Sequence, residues 1–426
     1  MQAIPNSEMT SRSDNATDSA EATRSIFLSV AETSADLYGA NLLTALRGRR
    51  PERRCWGLTG PRTRAAGCET FHDMVGGAAM LFGAIARVPG ALLMLERLKR
   101  KFRREPPAAA VLIDSPALHL PLARICRRMS IPVLYYVAPQ TWAWKERRVA
   151  VIRENVDRLV AILPFEPEYF ARHGITARFH GHPLFEELER TPPDEARVAA
   201  YRASGDPLIV LMPGSRRRVI EEVFPDQWRV AERLAREFRG ARFLVAAADA
   251  EGEDRVRAIA RRMDQSAAAT LVDRITFDHR TRGEMLAAAD LALVASGTAT
   301  LEVAYHATPM IVMYNHGRWM LPLMEAGLGL AGGRLLRTTY LSLPNILAGR
   351  AIVPEFMPFY PSIEPIVACA ANWLSDRAAL RSKQRELAAL VAPMVRADVS
   401  AAVAADLDSL IAAGGRSGRE ISPGSR

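Results

Sequence analysis

The sequence predicts an α/β protein made of two doubly wound halves, each a parallel sheet flanked by helices. Three observations carry this. At 426 residues the chain is too long for one ordinary domain and suits two. Short apolar runs alternate with amphipathic stretches, the pattern of βαβ units around a parallel sheet. The alternation restarts after a polar stretch at 189–195 containing Pro192 and Pro193, so 25–190 and 196–350 read as separate domains.

The elements follow in chain order. Residues 1–24 are rich in Ser, Thr, Asp, Asn and Ala, with four acidic and two basic side chains. They lack the basic start and apolar run of a signal peptide, which predicts a disordered tail and a cytoplasmic protein. Ile26–Val30 predicts a strand, Ala40–Arg50 a helix, Ala109–Ile113 a buried strand, Arg124–Met129 helix and Pro132–Val137 a third strand. In the second half, Leu208–Met212, Arg242–Ala246 and Leu291–Val294 predict strands and Gln227–Phe238 a helix. The Gly/Ser/Arg-rich residues 413–426 predict a second loose tail.

Composition narrows the class. Hydrophobic residues at 49% and charged residues at 24% exclude global disorder. Cys55, Cys68, Cys126 and Cys369 form no CxxC pair, which argues against a disulfide scaffold or a cysteine-built zinc site. No run of eighteen uninterrupted apolar residues occurs, so no spanning helix is expected. A net charge of +9 calls for an anionic partner: nucleic acid, a phosphorylated ligand or lipid headgroups.

Ligands of open α/β sheets bind beyond the carboxyl ends of the strands, and the chemistry-bearing motifs sit there. Leu208–Met212 runs into Pro213-Gly214-Ser215-Arg216, followed by Arg217, Arg218 and Glu221. Glycine permits close approach of the backbone, Ser215 can donate or cap, a following helix offers free N–H groups, and Arg216 presents a fork suited to phosphate. An ordinary turn with solvated arginines has the same pattern. A second strand enters Ser296-Gly297-Thr298 before Glu302, whose carboxylate can accept two ribose hydroxyls. Its plain alternative is close packing with a surface glutamate. The two turns together favour a nucleotide site.

Asp114 ends the apolar run Val111–Ile113 and can serve as a general base. It can equally cap the helix that Pro116 opens, and pattern alone favours the cap. Trp142 and Trp144 could line an acyl or sugar pocket, or pack in the core. His180 and His182 have no partners at metal spacing, so no metal is expected. The apolar segment 80–95, with Leu81 and Phe82, leads into Arg97, Lys99, Arg100, Lys101, Arg103 and Arg104. Such a segment can lie on an anionic bilayer or be a solvated helix covering the core. Nucleic acid is not expected, because no recognition motif accompanies the charge.

Taken together, these motifs resemble those of the lipid-A-disaccharide synthases, a family of bacterial glycosyltransferases, from Ser25 to about Ile411. The matching segments are Trp56–Arg62 with Gly67–Glu69, Ile113–Pro116, Val137–Trp144, Leu163–Glu166, Gly181–Pro183, Pro213–Arg216, Ala295–Thr298 with Glu302, and Tyr340–Arg350. The resemblance implies a glycosyltransferase-B fold, two Rossmann-like domains facing a cleft, with residues 351–412 as helices crossing back to the first domain. It implies transfer from UDP-2,3-diacylglucosamine to 2,3-diacylglucosamine 1-phosphate with inversion, giving the disaccharide 1-phosphate and UDP, and needing no cofactor. Asp114 matches the general base. Ser215, Arg216, Ser296, Gly297 and Thr298 would meet the leaving-group charge, Glu302 would hold the ribose, and Asn345 with Glu355 would help bind the nucleotide-sugar. Glu32, Ser34, Asp36, Trp142 and His182 fall on the acceptor side, and segment 80–104 on the membrane-facing side. The implied location is the cytoplasmic face of the inner membrane, bound peripherally, and a homodimer is compatible with it.

The chain departs from the family in its first loop, where Ala31 and Ala35 replace two glycines, and at Ala117, which replaces an aspartate. Two other readings therefore stay open at this point. One is a transferase of the same fold with another acyl-sugar or lipid acceptor. The other is a catalytically silent protein that binds UDP-sugar or lipid.

Overall fold

The computed structural model describes residues 24–74, 89–143, 147–264, 271–315 and 340–414. It divides into two compact units, one through Glu186 and again from Arg396, the other spanning Glu187–Val395.

Among the described residues the first unit holds seven strands: β1 (Ile26–Ser29), β2 (Cys55–Thr59), β3 (Glu69–Asp73), β4 (Ala109–Ile113), β5 (Val133–Tyr136), β6 (Arg158–Ala161) and β7 (Ala177–Phe179). Their order is β3-β2-β1-β4-β5-β6-β7 and every pairing is parallel. Central strands buried on both faces need continuous apolar runs, and β4, Ala-Ala-Val-Leu-Ile, is buried at every position. The chain leaves β1 for β2 on one side and returns to β4 on the other, so the strand order reverses between β1 and β4. On one face Phe27, Trp56 and Phe102 meet edge-on at 5.0–5.8 Å. Phe102 comes from helix Pro89–Arg104, which buries Met94, Leu98 and Phe102 at four-residue spacing and exposes Arg97, Arg100, Arg103 and Arg104.

The second unit repeats the plan with β8 (Leu208–Met212), β9 (Arg242–Ala246), β10 (Ile275–Asp278), β11 (Leu291–Ala295), β12 (Met310–Met313) and β13 (Glu355–Phe356). The order is β10-β9-β8-β11-β12-β13, all parallel, with the reversal between β8 and β11. Its longest helix, Arg217–Glu237, turns Ile220, Val223, Phe224, Trp228, Ala231 and Leu234 onto the sheet.

Of the segment 351–412, helices Glu364–Ser375 and Arg377–Val391 lie in the second unit, and only Val399–Ala412 joins the first. That last helix packs on Thr33–Arg49. It is tied down by Ser400, whose N–H and hydroxyl both donate to buried Glu186 at 3.1 and 2.5 Å. Asp406 pairs with Arg178 and with His180 at 2.8 Å, and Asp408 with Arg49 at 2.9 Å. Among the described residues one stretch, Arg377–Ala412, is long and apolar enough to cross a membrane by length and composition, where none was expected. A 3-10 turn at Ala392–Met394 interrupts it, and Leu380, Leu387, Val391, Val399 and Val403 are buried within the protein.

Candidate active site

In the first unit the carboxyl edge of the sheet concentrates backbone strain. Five described non-glycine residues have positive φ: Asp114 (56°), Ser115 (43°), Ser130 (55°), Val137 (65°) and Ala307 (53°). Ser130 and Ala307 follow helix ends, where a left-handed residue is ordinary. The other three sit directly after the adjacent strands β4 and β5. A left-handed β-branched residue such as Val137 is a rarity, and conformations of this kind persist only where their surroundings hold them, most often at functional sites.

What holds Asp114 is visible. Its N–H donates to the Tyr136 carbonyl at 2.9 Å. Its own carbonyl accepts twice, from the Tyr135 hydroxyl at 2.6 Å and from His119 Nδ1 at 2.7 Å. His119 Nε2 in turn lies 2.8 Å from the Ser29 hydroxyl at the end of β1. A carbonyl can only accept, so Nδ1 carries the proton and Nε2 accepts from Ser29. His119 and Ser29 are fully buried, and burial pushes the imidazole down to about 4, keeping it neutral. Ser29, His119 and Tyr135 escaped the sequence reading. The only signal was a lone histidine in the apolar helix Pro116–Arg128.

The acceptor-side candidates separate. Glu32, half-buried, is the N-cap residue of Thr33–Arg49, and Ser34 is exposed one residue into that helix. Asp36 points inward at 1% exposure, accepting from Arg62 N–H (2.8 Å), Thr63 N–H (2.9 Å) and the Thr63 hydroxyl (2.7 Å). It caps helix Pro61–Ala65, so its oxygens face the chain rather than a ligand. Ala31 and Ala35 have no positive φ, and Ala35 lies within the helix, so alanine there strains nothing. Trp142 is buried and donates to Glu166 at 3.0 Å, with Phe165 edge-on at 5.0 Å. Glu166 also accepts from the N–H groups of Ile162 and Leu163, both at 3.0 Å, and burial pushes its carboxyl up to about 7. His182, 1% exposed, accepts the Leu184 N–H on Nδ1 at 3.1 Å and packs against Phe185. Burial lowers it to about 3. Trp142 and His182 are thus buried side chains bonded within the protein.

In the second unit the two small-residue turns follow β8 and β11, the strands at the reversal. Gly214 has φ 100°, and a Cβ there would stand 2.8 Å from Val219. Ser215 and Arg216 are exposed, and Arg216 is the N-cap residue of Arg217–Glu237, whose first turn carries no acid. Arg217 and Arg218 bind Glu221 and Glu222 one turn on, at 2.9 and 2.7 Å. Gly297 has φ 141° with open space where its Cβ would be, and Ser296 is half-buried beside exposed Thr298. Gln227, buried and missed in the sequence, donates to the carbonyls of Met212 (3.2 Å) and Leu293 (2.9 Å), stitching together the two strands that feed these turns.

Glu302 is 5% exposed and accepts from Arg282 Nε at 2.7 Å, a partner the sequence did not indicate. Asn345 and Glu355 turn polar atoms towards each other and the backbone. Asn345 donates to Val353 O and to Glu355, and accepts from the N–H groups of Ile352 and Val353, all at 2.7–2.9 Å. Glu355 accepts from Leu341 and Ser342 N–H at 3.1 and 2.8 Å. The pair shapes the Tyr340–Arg350 segment and leaves Asn345 no spare capacity.

On helix Pro89–Arg104, Leu92 and Leu93 are 55% and 49% exposed beside the four outward arginines. Lys99 is bound by Glu96 at 2.6 Å, and Lys101 lies over the Trp56 ring at 4.6 Å. Leu81, Phe82 and Trp144 lie outside the described residues. Among the described residues, Glu253, Asp278 and His279 place ligand atoms close enough to share an ion, but Glu253 is already engaged by Arg257 and His279.

Two all-parallel doubly wound units, with small-residue turns at the reversal of one and a strained aspartate at the reversal of the other, define a protein of the glycosyltransferase-B class. The fold is shared with Staphylococcus aureus MnaA in a UDP co-structure (TM-score 0.61, 11% identity, covering 91% of this chain and 97% of that one). It is shared too with Anabaena HepE in complex with UDP-glucose (0.54, 10%, 90% and 98%). Residues 26–402 match the profile of the family described as lipid-A-disaccharide synthetase. Lipid-A-disaccharide synthases of Anaeromyxobacter sp. (strain K) and Pseudomonas paraeruginosa are 36% and 33% identical, over 86% and 89% of this chain and 92% and 96% of their own. The chain belongs to the lipid-A-disaccharide synthase family and is a glycosyltransferase.

Proposed function

We propose that the protein is an inverting transferase that joins UDP-2,3-diacylglucosamine to 2,3-diacylglucosamine 1-phosphate. The observation that carries this reading is Asp114, a carboxylate in strained backbone at the strand reversal of a family member. In the reaction Asp114 takes the proton of the acceptor 6-hydroxyl as that oxygen attacks the anomeric carbon from the face opposite UDP. The bond between the anomeric carbon and the UDP oxygen breaks, its electron pair leaving with UDP. Ser215, Arg216 and the N–H groups of the turn at 296–298 would meet the charge that develops, as donors fixed before the reaction begins. Glu302, oriented by Arg282, would accept the ribose hydroxyls.

Product analysis with both acyl-sugars tests the reading. The expected result is disaccharide 1-phosphate plus UDP from the wild type, and a loss of about 10²–10⁴-fold in Asp114→Asn. UDP-sugar binding without turnover by the wild type would count for a silent protein instead.

The acyl chains of such substrates reside in a bilayer, and helix Pro89–Arg104 offers exposed Leu92 and Leu93 beside Arg97, Arg100, Arg103 and Arg104. We infer peripheral attachment by this helix to the anionic cytoplasmic face of the inner membrane. Each basic residue near the headgroups contributes about 1 kcal/mol. Changing the four arginines to glutamine should release the protein from vesicles of anionic phospholipid, and added salt should weaken wild-type binding. Unchanged binding would refute the assignment.

A further inference from the structure

The mechanism above uses the Asp114 side chain, yet the most elaborate bonding at this edge is made to its main chain. Two consecutive non-glycine residues, Asp114 and Ser115, stand in the left-handed region, a conformation disfavoured for any residue that carries a Cβ. Relaxation of this turn to an ordinary conformation would swing the Asp114 Cβ, and the carboxylate with it, away from its present direction.

Three side chains from three elements converge to prevent that. Tyr135 lies on β5 next to β4, and its hydroxyl reaches the Asp114 carbonyl at 2.6 Å. His119 reaches the same oxygen at 2.7 Å from the first turn of the following helix. Ser29, at the end of β1 on the other side of β4, fixes the imidazole at 2.8 Å. Its hydroxyl proton occupies the Nε2 lone pair, which compels Nδ1 to be the donor. All three residues are fully buried, so none of these bonds competes with water. Helix capping does not require such an arrangement: Ser115, the N-cap residue, makes no side-chain cap bond, and the Asp114 carbonyl precedes the helix.

We propose that His119 and Tyr135, with Ser29 setting the tautomer of His119, are positioning residues that lock the Asp114 peptide in its left-handed turn and so aim the carboxylate at the acceptor hydroxyl. The assignment rests on Asp114 being the base. Neither side chain touches substrate; each acts through the Asp114 carbonyl.

The test is steady-state kinetics of UDP release from UDP-2,3-diacylglucosamine with 2,3-diacylglucosamine 1-phosphate. Tyr135→Phe removes one hydroxyl and keeps the ring, and His119→Leu removes both nitrogens. Each is expected to lower kcat about 10–100-fold with KM little changed, because a displacement of about 1 Å suffices for such a loss. His119→Asn, whose amide can still donate towards the carbonyl, should recover part of kcat; a role in packing alone would show no such rescue. In the wild type, the 15N shifts of the His119 ring should report the neutral Nδ1–H form at pH 7, changing in Ser29→Ala. Wild-type kcat in folded Tyr135→Phe and His119→Leu, while Asp114→Asn is inactive, would overturn the positioning role alone. Wild-type turnover by Asp114→Asn would remove the base assignment and this proposal with it.

Discussion

Asp36 and Asp114 look alike in the sequence, each an acid shortly after an apolar strand, and the structure surrounds them differently. Asp36 turns its carboxylate into the protein to cap a helix, and the N–H groups of Arg62 and Thr63 depend on it. Asp36→Ala leaves buried donors unpaired and should cost about 2–3 kcal/mol, seen as a lower Tm in calorimetry. At Asp114 the main chain is what is held, its carbonyl accepting from Tyr135 and His119, and in the proposed reaction its carboxylate is the base. Glu166 makes a prediction in pH. Its folded value near 7 lies above the ordinary 4.5, so between those values the native state holds a proton that the unfolded chain has released. Stability therefore falls as pH rises from 4.5 to 7. Tm measured across that window should decline less in Glu166→Gln, which cannot ionise. An equal decline would show that Glu166 is not the group responsible. Composition marked Asp36 and Asp114 as acids, but the partners that fix them, Arg62 for Asp36 and Tyr135 for Asp114, lie 26 and 21 residues away along the chain.

At the scale of elements, the strands that were legible are those buried on both faces. Ala109–Ile113, Leu208–Met212 and Arg242–Ala246 coincide with the predicted spans, because continuous apolar runs can be seen without their partners. β3, Glu-Thr-Phe-His-Asp at a sheet edge, is mostly exposed and has no apolar run to mark it in the sequence. Two-residue β13 exists only because β12 is there to pair with it. The helices expected over 40–50, 124–129 and 227–238 are the later parts of Thr33–Arg49, Pro116–Arg128 and Arg217–Glu237, since polar residues begin the first and third, and Pro116 and Pro121 interrupt the helical pattern of the second. The turn after β8 was legible as a motif, and its geometry sets a further prediction. Gly214→Ala meets both a positive φ and a 2.8 Å approach to Val219. It should cost about 1–3 kcal/mol in stability and weaken UDP binding in calorimetric titration. Retained affinity would argue that this turn does not hold the nucleotide.

For the whole molecule, the distinctive step is the return of the chain at Arg396 to complete the first unit. Asp406 anchors the returning helix. Burial tends to raise its carboxyl, and hydrogen bonding to His180 with the charge of Arg178 outweighs this, holding it below the ordinary 3.8. A lowered acid stabilises above its unfolded value and loses that contribution as pH falls through the folded one. Acidification below about pH 4 should therefore loosen helix Val399–Ala412, visible as faster amide exchange there than in β4, and Asp406→Asn should exchange fast already at pH 7. The +9 charge also finds places at this scale, in arginines on the outer face of Pro89–Arg104 and around the turn after β8. By itself, the sequence determined the α/β class, two parallel-sheet halves, the strand-end motifs and the family, because apolar periodicity and glycine-containing turns are local and ordered along the chain. Only the tertiary structure decided that Asn345 bonds to Glu355, that Asp36 caps a helix, that Glu302 has Arg282 beside it, and that His119, fixed by Ser29, and Tyr135 converge on one carbonyl. Those outcomes turn on hydrogen bonds between residues brought together by strand order, which no local pattern records.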